Sequence, residues 1–261
     1  MNENNIRVFE DTLRQAEKKY PVNFEDVRYY NDNIKGVPFK KPYAPIEMVR
    51  GGTVSTGYAN ADSGMRVAIL NFADALTAGG LVLVGENTQE ENICRCTNLY
   101  PVLSDARSYK AYYLPNRQNG DFVYTNRIIY ARDITVFKDD STYENIEPRQ
   151  FDVITCPAPS ENLPDEKAVI VYMSRIQAII LSAIENGVDC IVLGAWGCGA
   201  FGQNPELIAQ TFANMLNMYG GYFKKIVFAI RSTPNTFERD SYSIFRDILE
   251  DKYDGGVEYE K

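Results

Sequence analysis

Histidine is absent from the 261 residues of the sequence, and this absence removes the imidazole group as a base, an acid or a metal ligand. Carboxylates and thiols must therefore carry any acid–base chemistry. The cysteines are odd in number and mostly lie in apolar or glycine-rich surroundings, which favours reduced thiols over a disulfide framework. They are Cys94, Cys96, Cys156, Cys190 and Cys198. Cys94 and Cys96 have no second ligand pair to complete a tetrahedral zinc site, so we expect no metal.

Long apolar runs and an excess of positive charge are also missing. No stretch approaches the roughly 20 uninterrupted apolar residues that span a bilayer. The first segment, MNENNIRVFEDTLRQ, is too acidic and polar for a signal peptide. A net charge of −8 disfavours extended binding to a nucleic-acid backbone, although backbone N–H groups can still hold a phosphate locally. We therefore expect a globular, cytoplasmic protein without a membrane partner, whose anionic ligands are small.

The N-terminal part of the chain differs from the rest in its apolar pattern. Apolar residues recur at steps of three and four between Ile6 and Tyr20, which predicts an amphipathic helix. Residues 21–64 are rich in Tyr, Pro, Asn and Gly without a clear period, which is typical of irregular loops and short strands. We expect residues 1–64 to form a helical and irregular extension packed on one compact core of residues 65–261.

Four short apolar runs in the core have the composition of strands that are buried on both faces. They read MRVAILN, FDVITC, DCIVLG and KKIVFAI. A long helix is predicted between the second and third runs, from about Asp165 to Asn186, with Gly187 as its stop signal. Strands therefore alternate with helices, and the fold class is α/β.

A glycine loop, residues 194–204, follows the run DCIVLG. Its glycines are Gly194, Gly197, Gly199 and Gly202. Asn204 as a cap and Pro205 at the first helical position predict that a helix begins directly after it. Successive glycine N–H groups and a helix N-terminus favour a phosphate or pyrophosphate ligand. The spacing is neither the Rossmann nor the P-loop fingerprint, and the alternative interpretation is a tight turn between buried elements.

A carboxylate segment, residues 78–91, follows the run MRVAILN. It contains Gly79 and Gly80 and ends in Gln89, Glu90 and Glu91. Adjacent carboxylates cannot flank one sugar from opposite sides, so one glutamate must do most of the acid–base work. From the residues alone, the favoured alternative is structural, with Thr88 and Glu91 as the capping box of a helix. Both interpretations can hold at once.

The string NFADALTAGGLVLVGENTQEENICRCTNLYPVL resembles the microbial-type poly(ADP-ribose) glycohydrolase family, whose members carry Asn-Phe-Ala, a Gly-Gly-Gly turn and then Gln-Glu-Glu. Further similar segments are IIYARDITVFKDD, FDVITCPAPS and VLGAWGCGAFGQNP, so the resemblance extends from Val67 to beyond Phe228. The family implies a macrodomain-like fold, a mixed β-sheet sandwiched between helices, with ADP-ribose lying across the strand ends.

The resemblance also implies roles for individual residues. Glu91 is expected to be the general acid–base residue, while Glu90 and Asn71 hold the terminal ribose hydroxyls. Gly79, Gly80 and Gln89 belong to the ligand-facing segment. In the glycine loop, the residues expected to line the diphosphate and distal ribose are Gly197, Cys198, Gly199, Ala200 and Phe201. No cofactor is implied.

The expected activity is release of ADP-ribose from poly(ADP-ribose) by acid–base-assisted cleavage of the ribosyl bond. A carboxyl that donates a proton near neutral pH needs a raised pKa, which burial or a neighbouring carboxylate supplies. The alternatives are an ADP-ribose-binding module without activity, and a hydrolase of mono-ADP-ribosylated protein or nucleic acid. Leu81 stands where the family has its third glycine, and we expect its side chain to hinder approach of the backbone to phosphate.

Overall fold

The computed structural model describes residues 2–31, 34–160, 163–231 and 240–259. Eight strands in this part of the chain form one mixed sheet. They are β1 (Val27–Tyr30), β2 (Ile46–Val49), β3 (Val67–Ala73), β4 (Ile128–Lys138), β5 (Asn145–Pro157), β6 (Cys190–Leu193), β7 (Lys225–Ala229) and β8 (Val257–Tyr259). Their order across the sheet is β1-β4-β5-β3-β6-β7-β2-β8.

The four predicted strands are confirmed, and they are neighbours at the centre of the sheet as β5, β3, β6 and β7. All three pairings among them are parallel. The hairpin of β4 and β5 and the edge strand β1 add antiparallel pairs, which makes the sheet mixed. Central parallel strands are covered on both faces, which explains their nearly continuous apolar sequences.

Helices cover both faces of the sheet, and the predicted α/β, macrodomain-like architecture is confirmed. The α-helices among the described residues are α1 (Glu3–Lys19), α2 (Thr53–Ala61), α3 (Gln89–Cys96), α4 (Tyr100–Leu103), α5 (Ala106–Ser108), α6 (Leu114–Asn119), α7 (Asp165–Glu185), α8 (Pro205–Tyr219) and α9 (Ser241–Lys252). One face packs against α7, α8 and α9 through residues such as Ile176, Phe212 and Phe245. The opposite face packs against α1, α2 and α3 through Phe9, Val54 and Ile93.

The helix α7 begins at the predicted Asp165, and it ends one residue before the predicted Asn186. It is the one described helix that is long and apolar enough to cross a membrane by length and composition, and half of its most apolar window is buried in the protein. Tyr172 and Ile176 lie on its buried side. Burial of one apolar side against a sheet is typical of a core helix in a globular protein.

Residues 1–64, predicted as a helical and irregular extension packed on the core, also contribute two strands to the sheet of that core. Residues 46–49 form β2 between β7 and β8, and residues 27–30 form the edge strand β1. Each of these strands has only four residues, too few for a period of two to be recognised. The predicted first helix is confirmed as α1, although its buried side includes the polar residues Asn5 and Thr12.

These two polar residues join α1 to the segment that contains the glutamate pair. The Asn5 side-chain amide donates a hydrogen bond to the Gly85 carbonyl at 2.9 Å. The Thr12 hydroxyl donates to the Arg95 carbonyl at 2.6 Å. Buried polar groups are stable only when they are hydrogen-bonded, so both residues can replace apolar ones on the buried side of the helix. The N-terminal helix α1 thereby holds α3 and the turn before it in place.

Candidate active site

A cleft of about 480 Å³ lies at the carboxyl ends of the parallel strands. Its walls are the turn after β2 (51–54), residues that follow β3 (80–81 and 87–93), the glycine loop (195 and 197–201) and the end of β7 (229–231). Carboxyl ends of neighbouring parallel strands meet at one edge of a sheet, where open α/β folds bind their ligands. The two segments singled out in the sequence therefore face the same cleft.

Glu90 is on the cleft wall, although only 2% of the residue is exposed. Its Oε1 accepts a hydrogen bond from the Asn71 side-chain amide at 3.2 Å, and its Oε2 accepts one from the Asp74 N–H at 2.7 Å. Burial raises the pKa of the Glu90 carboxyl well above its ordinary value, outweighing these two hydrogen bonds. Glu90 is therefore a carboxyl that keeps its proton at a pH where an exposed glutamate has lost it.

Glu91 also lines the cleft, and its carboxylate is held by the backbone on two sides. Oε1 accepts from the Leu81 N–H at 2.8 Å, and Oε2 accepts from the Thr88 N–H at 3.0 Å and from the Thr88 hydroxyl. The bond to the Thr88 N–H closes the predicted capping box at the start of α3. The structural interpretation of Glu91 is thus confirmed, and the same carboxylate faces the cleft.

Gly80 allows the two carboxyl groups to lie side by side. Its φ is +58°, in the left-handed region that favours glycine. A Cβ placed on Gly80 would collide with the Glu91 carboxylate and lie 3.3 Å from Glu90 Oε2. Both carboxyl groups therefore lie close to the backbone of Gly80, in space that the side chain of any other residue would fill.

The neighbouring positions of the turn differ from Gly80. Gly79 has φ of +67°, but a Cβ there would point at the Tyr100 ring, 2.8 Å away. Gly79 is not among the described residues that line the cleft, and its expected contact with the ligand stays a prediction. Leu81 has φ of −102°, so this position needs no glycine. The Leu81 side chain lines the cleft and is 53% exposed.

Asn71 and Gln89, which were expected to face the ligand, both bond to protein groups. Asn71 is fully buried behind Glu90, and within the described part of the chain it does not line the cleft. Gln89 lines the cleft, but its amide bonds to the end of β3: Oε1 accepts from the Phe72 N–H at 2.8 Å, and Nε2 donates to the Leu70 carbonyl at 2.7 Å. Asn71 therefore orients Glu90, and Gln89 fixes the start of α3 to the sheet.

The glycine loop forms the opposite wall. The predicted order of strand, glycine loop and helix is confirmed, and the Asn204 side chain accepts from the Glu206 N–H at 3.0 Å as the cap of α8. All five residues expected to contact the diphosphate and distal ribose line the cleft: Gly197, Cys198, Gly199, Ala200 and Phe201. Gly197 has φ of +84°, and a Cβ on it would lie 2.7 Å from the Tyr172 hydroxyl. A Cβ on Gly199 would meet open space.

The thiol in this loop is not poised for nucleophilic chemistry. Burial raises the pKa of Cys198 to about 12, so the thiolate is scarce at neutral pH. All five cysteines are free thiols, as the sequence predicts. Cys198 is therefore a poor nucleophile, whereas the carboxyl groups of Glu90 and Glu91 line the same cleft.

Residues at the far end of the cleft were not found from the sequence. Gly51 and Gly52 follow β2, and Arg231 follows β7. Arg231 Nη2 contacts the buried Asp140 carboxylate at 2.9 Å, and a Cβ on Gly52 would lie 2.7 Å from Arg231 Nη2. The sequence does contain a pattern that could have indicated this part of the cleft, because Gly51 and Gly52 stand between the apolar strand β2 and the start of α2.

Comparison with known proteins identifies the family. Residues 8–139, slightly more than half of the chain, match the family described as microbial-type PARG, catalytic domain. A search of curated proteins found no match. Among solved structures, the chain is similar to the poly(ADP-ribose) glycohydrolase of Thermomonospora curvata bound to the inhibitor ADP-HPD, with 27% identity, a TM-score of 0.82 and coverage of 94% of this chain and 99% of that one.

A second similar structure is the poly(ADP-ribose) glycohydrolase of Deinococcus radiodurans in complex with ADP-ribose. The identity is 26% and the TM-score 0.75, with 87% of this chain and 95% of that one covered. The family match contains the whole carboxylate segment, and the structural matches extend over nearly the full sheet and its helices. The chain therefore belongs to the microbial-type poly(ADP-ribose) glycohydrolase family.

Proposed function

We propose that this protein is a glycohydrolase that releases ADP-ribose from poly(ADP-ribose). The observation that carries the proposal is the pair of buried, adjacent carboxyl groups of Glu90 and Glu91 on one wall of the cleft, opposite the glycine loop. A cleft of about 480 Å³ has the size of a site for a small-molecule ligand. The similar structures from T. curvata and D. radiodurans hold an inhibitor and ADP-ribose, respectively.

The reaction needs one proton and one water. In the proposed mechanism Glu91 donates a proton to the ribose oxygen of the departing unit as the glycosidic C–O bond breaks, which leaves an oxocarbenium-like ribose. The resulting carboxylate then accepts a proton from water as the water oxygen bonds to the anomeric carbon, which restores the acid. Glu90 contacts the ribose hydroxyls, and burial raises the pKa of its carboxyl, so little negative charge lies beside Glu91.

The glycine loop supplies the other half of the site. Backbone N–H groups between Gly197 and Phe201 border the cleft directly before the N-terminus of α8, where the helix dipole favours an anion. We assign the diphosphate to this wall. An ADP-ribose unit held there presents its ribose to the carboxyl pair across the cleft.

The test is release of free ADP-ribose from poly(ADP-ribose) by the wild-type protein and by Glu91→Gln, Glu90→Gln and Glu86→Gln. Glu91→Gln should lower kcat by at least about 100-fold, because the amide has no proton to donate to the leaving oxygen, whereas ADP-ribose affinity should fall much less. The side chain of Glu86 is exposed outside the cleft lining, so Glu86→Gln is the control that should retain full turnover. Full turnover in Glu91→Gln, with loss in Glu90→Gln, would transfer the acid role to Glu90.

The acceptor from which ADP-ribose is released forms the finer part of the proposal. A mono-ADP-ribosylated protein presents the same ribosyl bond with a different leaving group, and the same acid–base step serves both. Incubation of the protein with both substrates separates them. Binding of ADP-ribose without release from either substrate would contradict the proposal and indicate a non-catalytic binding module.

A further inference from the structure

Tyr143 lies in the turn between β4 and β5 and has an unusual backbone conformation. The turn is closed by the Asp139 N–H, which donates to the Glu144 carbonyl at 2.9 Å, and by the Tyr143 N–H, which donates to the Asp139 carbonyl at 3.0 Å. Tyr143 has φ of +60°, in the left-handed region. Glycine or asparagine normally takes this position in hairpin turns, and a bulky aromatic residue there is an outlier. Such backbone strain persists where the surrounding contacts enforce it.

The Tyr143 hydroxyl reaches across to α3 and the turn before it. It accepts hydrogen bonds from Asn92 Nδ2 at 3.1 Å and from Arg95 Nε at 3.3 Å, and it donates to Asn87 Oδ1 at 3.0 Å. One proton and two lone pairs are the full capacity of a phenol hydroxyl. All three partners lie within residues 87–95, on either side of Glu90 and Glu91. The Tyr143 hydroxyl therefore bonds to residues on both sides of the Glu90–Glu91 pair.

Arg95, a buried residue of α3, bonds to the same turn as the Tyr143 hydroxyl. Its residue exposure is 0%, and its guanidinium carbon is 5.5 Å from the centre of the Tyr143 ring. Nη1 donates to the Glu86 carbonyl at 2.7 Å, and Nη2 donates to Asn87 Oδ1 at 2.5 Å. The buried cation and the phenol thus share Asn87 as an acceptor. Together they fix the turn that immediately precedes the helix start at Gln89.

We propose that Tyr143 is a positioning residue for the Glu90–Glu91 pair, acting through Asn87, Asn92 and Arg95 rather than by contact with substrate. This inference rests on the proposed function. The two carboxyl groups are fixed directly by the backbone N–H groups of Asp74 and Leu81, whereas the Tyr143 hydroxyl bonds to residues on either side of the pair in the chain. Small displacements of catalytic groups are costly, since a shift of about 1 Å can lower a rate by about 100-fold.

The test is Tyr143→Phe, which removes the hydroxyl and keeps the ring. Tyr58→Phe is a matched control: Tyr58 is also half-buried, its hydroxyl donates to the Glu147 carbonyl at 3.0 Å, and its ring lies 4.2 Å from the Arg149 guanidinium carbon. We expect Tyr143→Phe to lower kcat about tenfold with less than about a twofold change in KM and in ADP-ribose affinity. Tyr58→Phe should change none of these values.

Amide hydrogen exchange across residues 86–95 is the second readout, and it does not depend on activity. Exchange should become faster in Tyr143→Phe than in the wild type and remain unchanged in Tyr58→Phe, because the hydroxyl holds this segment. Unchanged exchange and unchanged kcat in Tyr143→Phe would overturn the proposal, as would a parallel loss of kcat and ADP-ribose affinity. Faster exchange in a protein that never cleaves poly(ADP-ribose) would support the positioning role and refute the proposed function.

Discussion

The two walls of the cleft, the carboxylate segment and the glycine loop, are stabilised by different kinds of hydrogen bond. In the carboxylate segment the functional side chains are also the structural ones: Gln89, Glu90 and Glu91 bond to backbone groups of Phe72, Asp74, Leu81 and others. In the glycine loop the backbone closes on itself, with the Gly202 N–H donating to the Gly199 carbonyl at 2.9 Å. Substitutions in the first wall should therefore damage fold and chemistry together, whereas substitutions in the second can separate binding from stability.

The largest effect is expected for Gly80→Ala, because the new Cβ would displace the Glu91 carboxylate. We predict a loss of at least about 100-fold in kcat/KM. Gly64→Ala is the control, since Gly64 also has positive φ, at +72°, but a Cβ there meets open space. Both variants should lose about 1 kcal/mol of unfolding free energy or more from the strained backbone. Equal turnover in the two variants would show that the carboxylate does not need the room Gly80 provides.

A smaller, more selective effect is expected for Gly199→Val on the opposite wall. The side chain would enter open space in the cleft, so the fold should be kept while crowding of the diphosphate weakens ADP-ribose binding about tenfold, or about 1.4 kcal/mol. Calorimetric titration and thermal unfolding measure the two quantities. Gly36→Val, also into open space but outside the cleft lining, should leave ADP-ribose affinity unchanged. Unchanged affinity in Gly199→Val would move the diphosphate away from this loop.

The comparison of the walls also explains how far the sequence could predict the site. Strand, glycine loop and capped helix form a local pattern that predicts an anion-binding loop, and the family resemblance implies that residues 197–201 face the ligand; all five line the cleft. The family resemblance implies that Asn71 faces the ligand, but a residue near a strand end can point to either face of the sheet. Its buried position behind Glu90 depends on contacts between β3 and α3. Local spacing therefore identifies segments that face a cleft, but the direction of each side chain is determined by tertiary packing.

The same limit applies to the fold. The central strands β3, β5, β6 and β7 were predictable because burial on both faces makes their sequences continuously apolar. The four-residue strand β2 carries too little pattern, and its place between β7 and β8 follows from the sheet as a whole. Arg231 and Tyr143 were missed for a related reason. Arg231 contacts Asp140, which lies 91 positions earlier in the chain, and Tyr143 contacts Asn92, which lies 51 positions earlier. Local sequence patterns do not reveal contacts over such separations.

The smallest effect is expected for Leu81→Gly, which distinguishes backbone from side chain within the carboxylate segment. The Leu81 N–H bonds to Glu91, and glycine retains this donor. The φ of −102° is ordinary for leucine, so glycine relieves no strain and adds unfolded-state entropy. We predict kcat/KM within about threefold of the wild type and a loss of about 0.5–1 kcal/mol of unfolding free energy. A rise of about tenfold or more in ADP-ribose affinity would contradict this prediction. It would show that the Leu81 side chain blocks approach of the backbone to phosphate, and that the carboxylate segment and the glycine loop both contact the diphosphate.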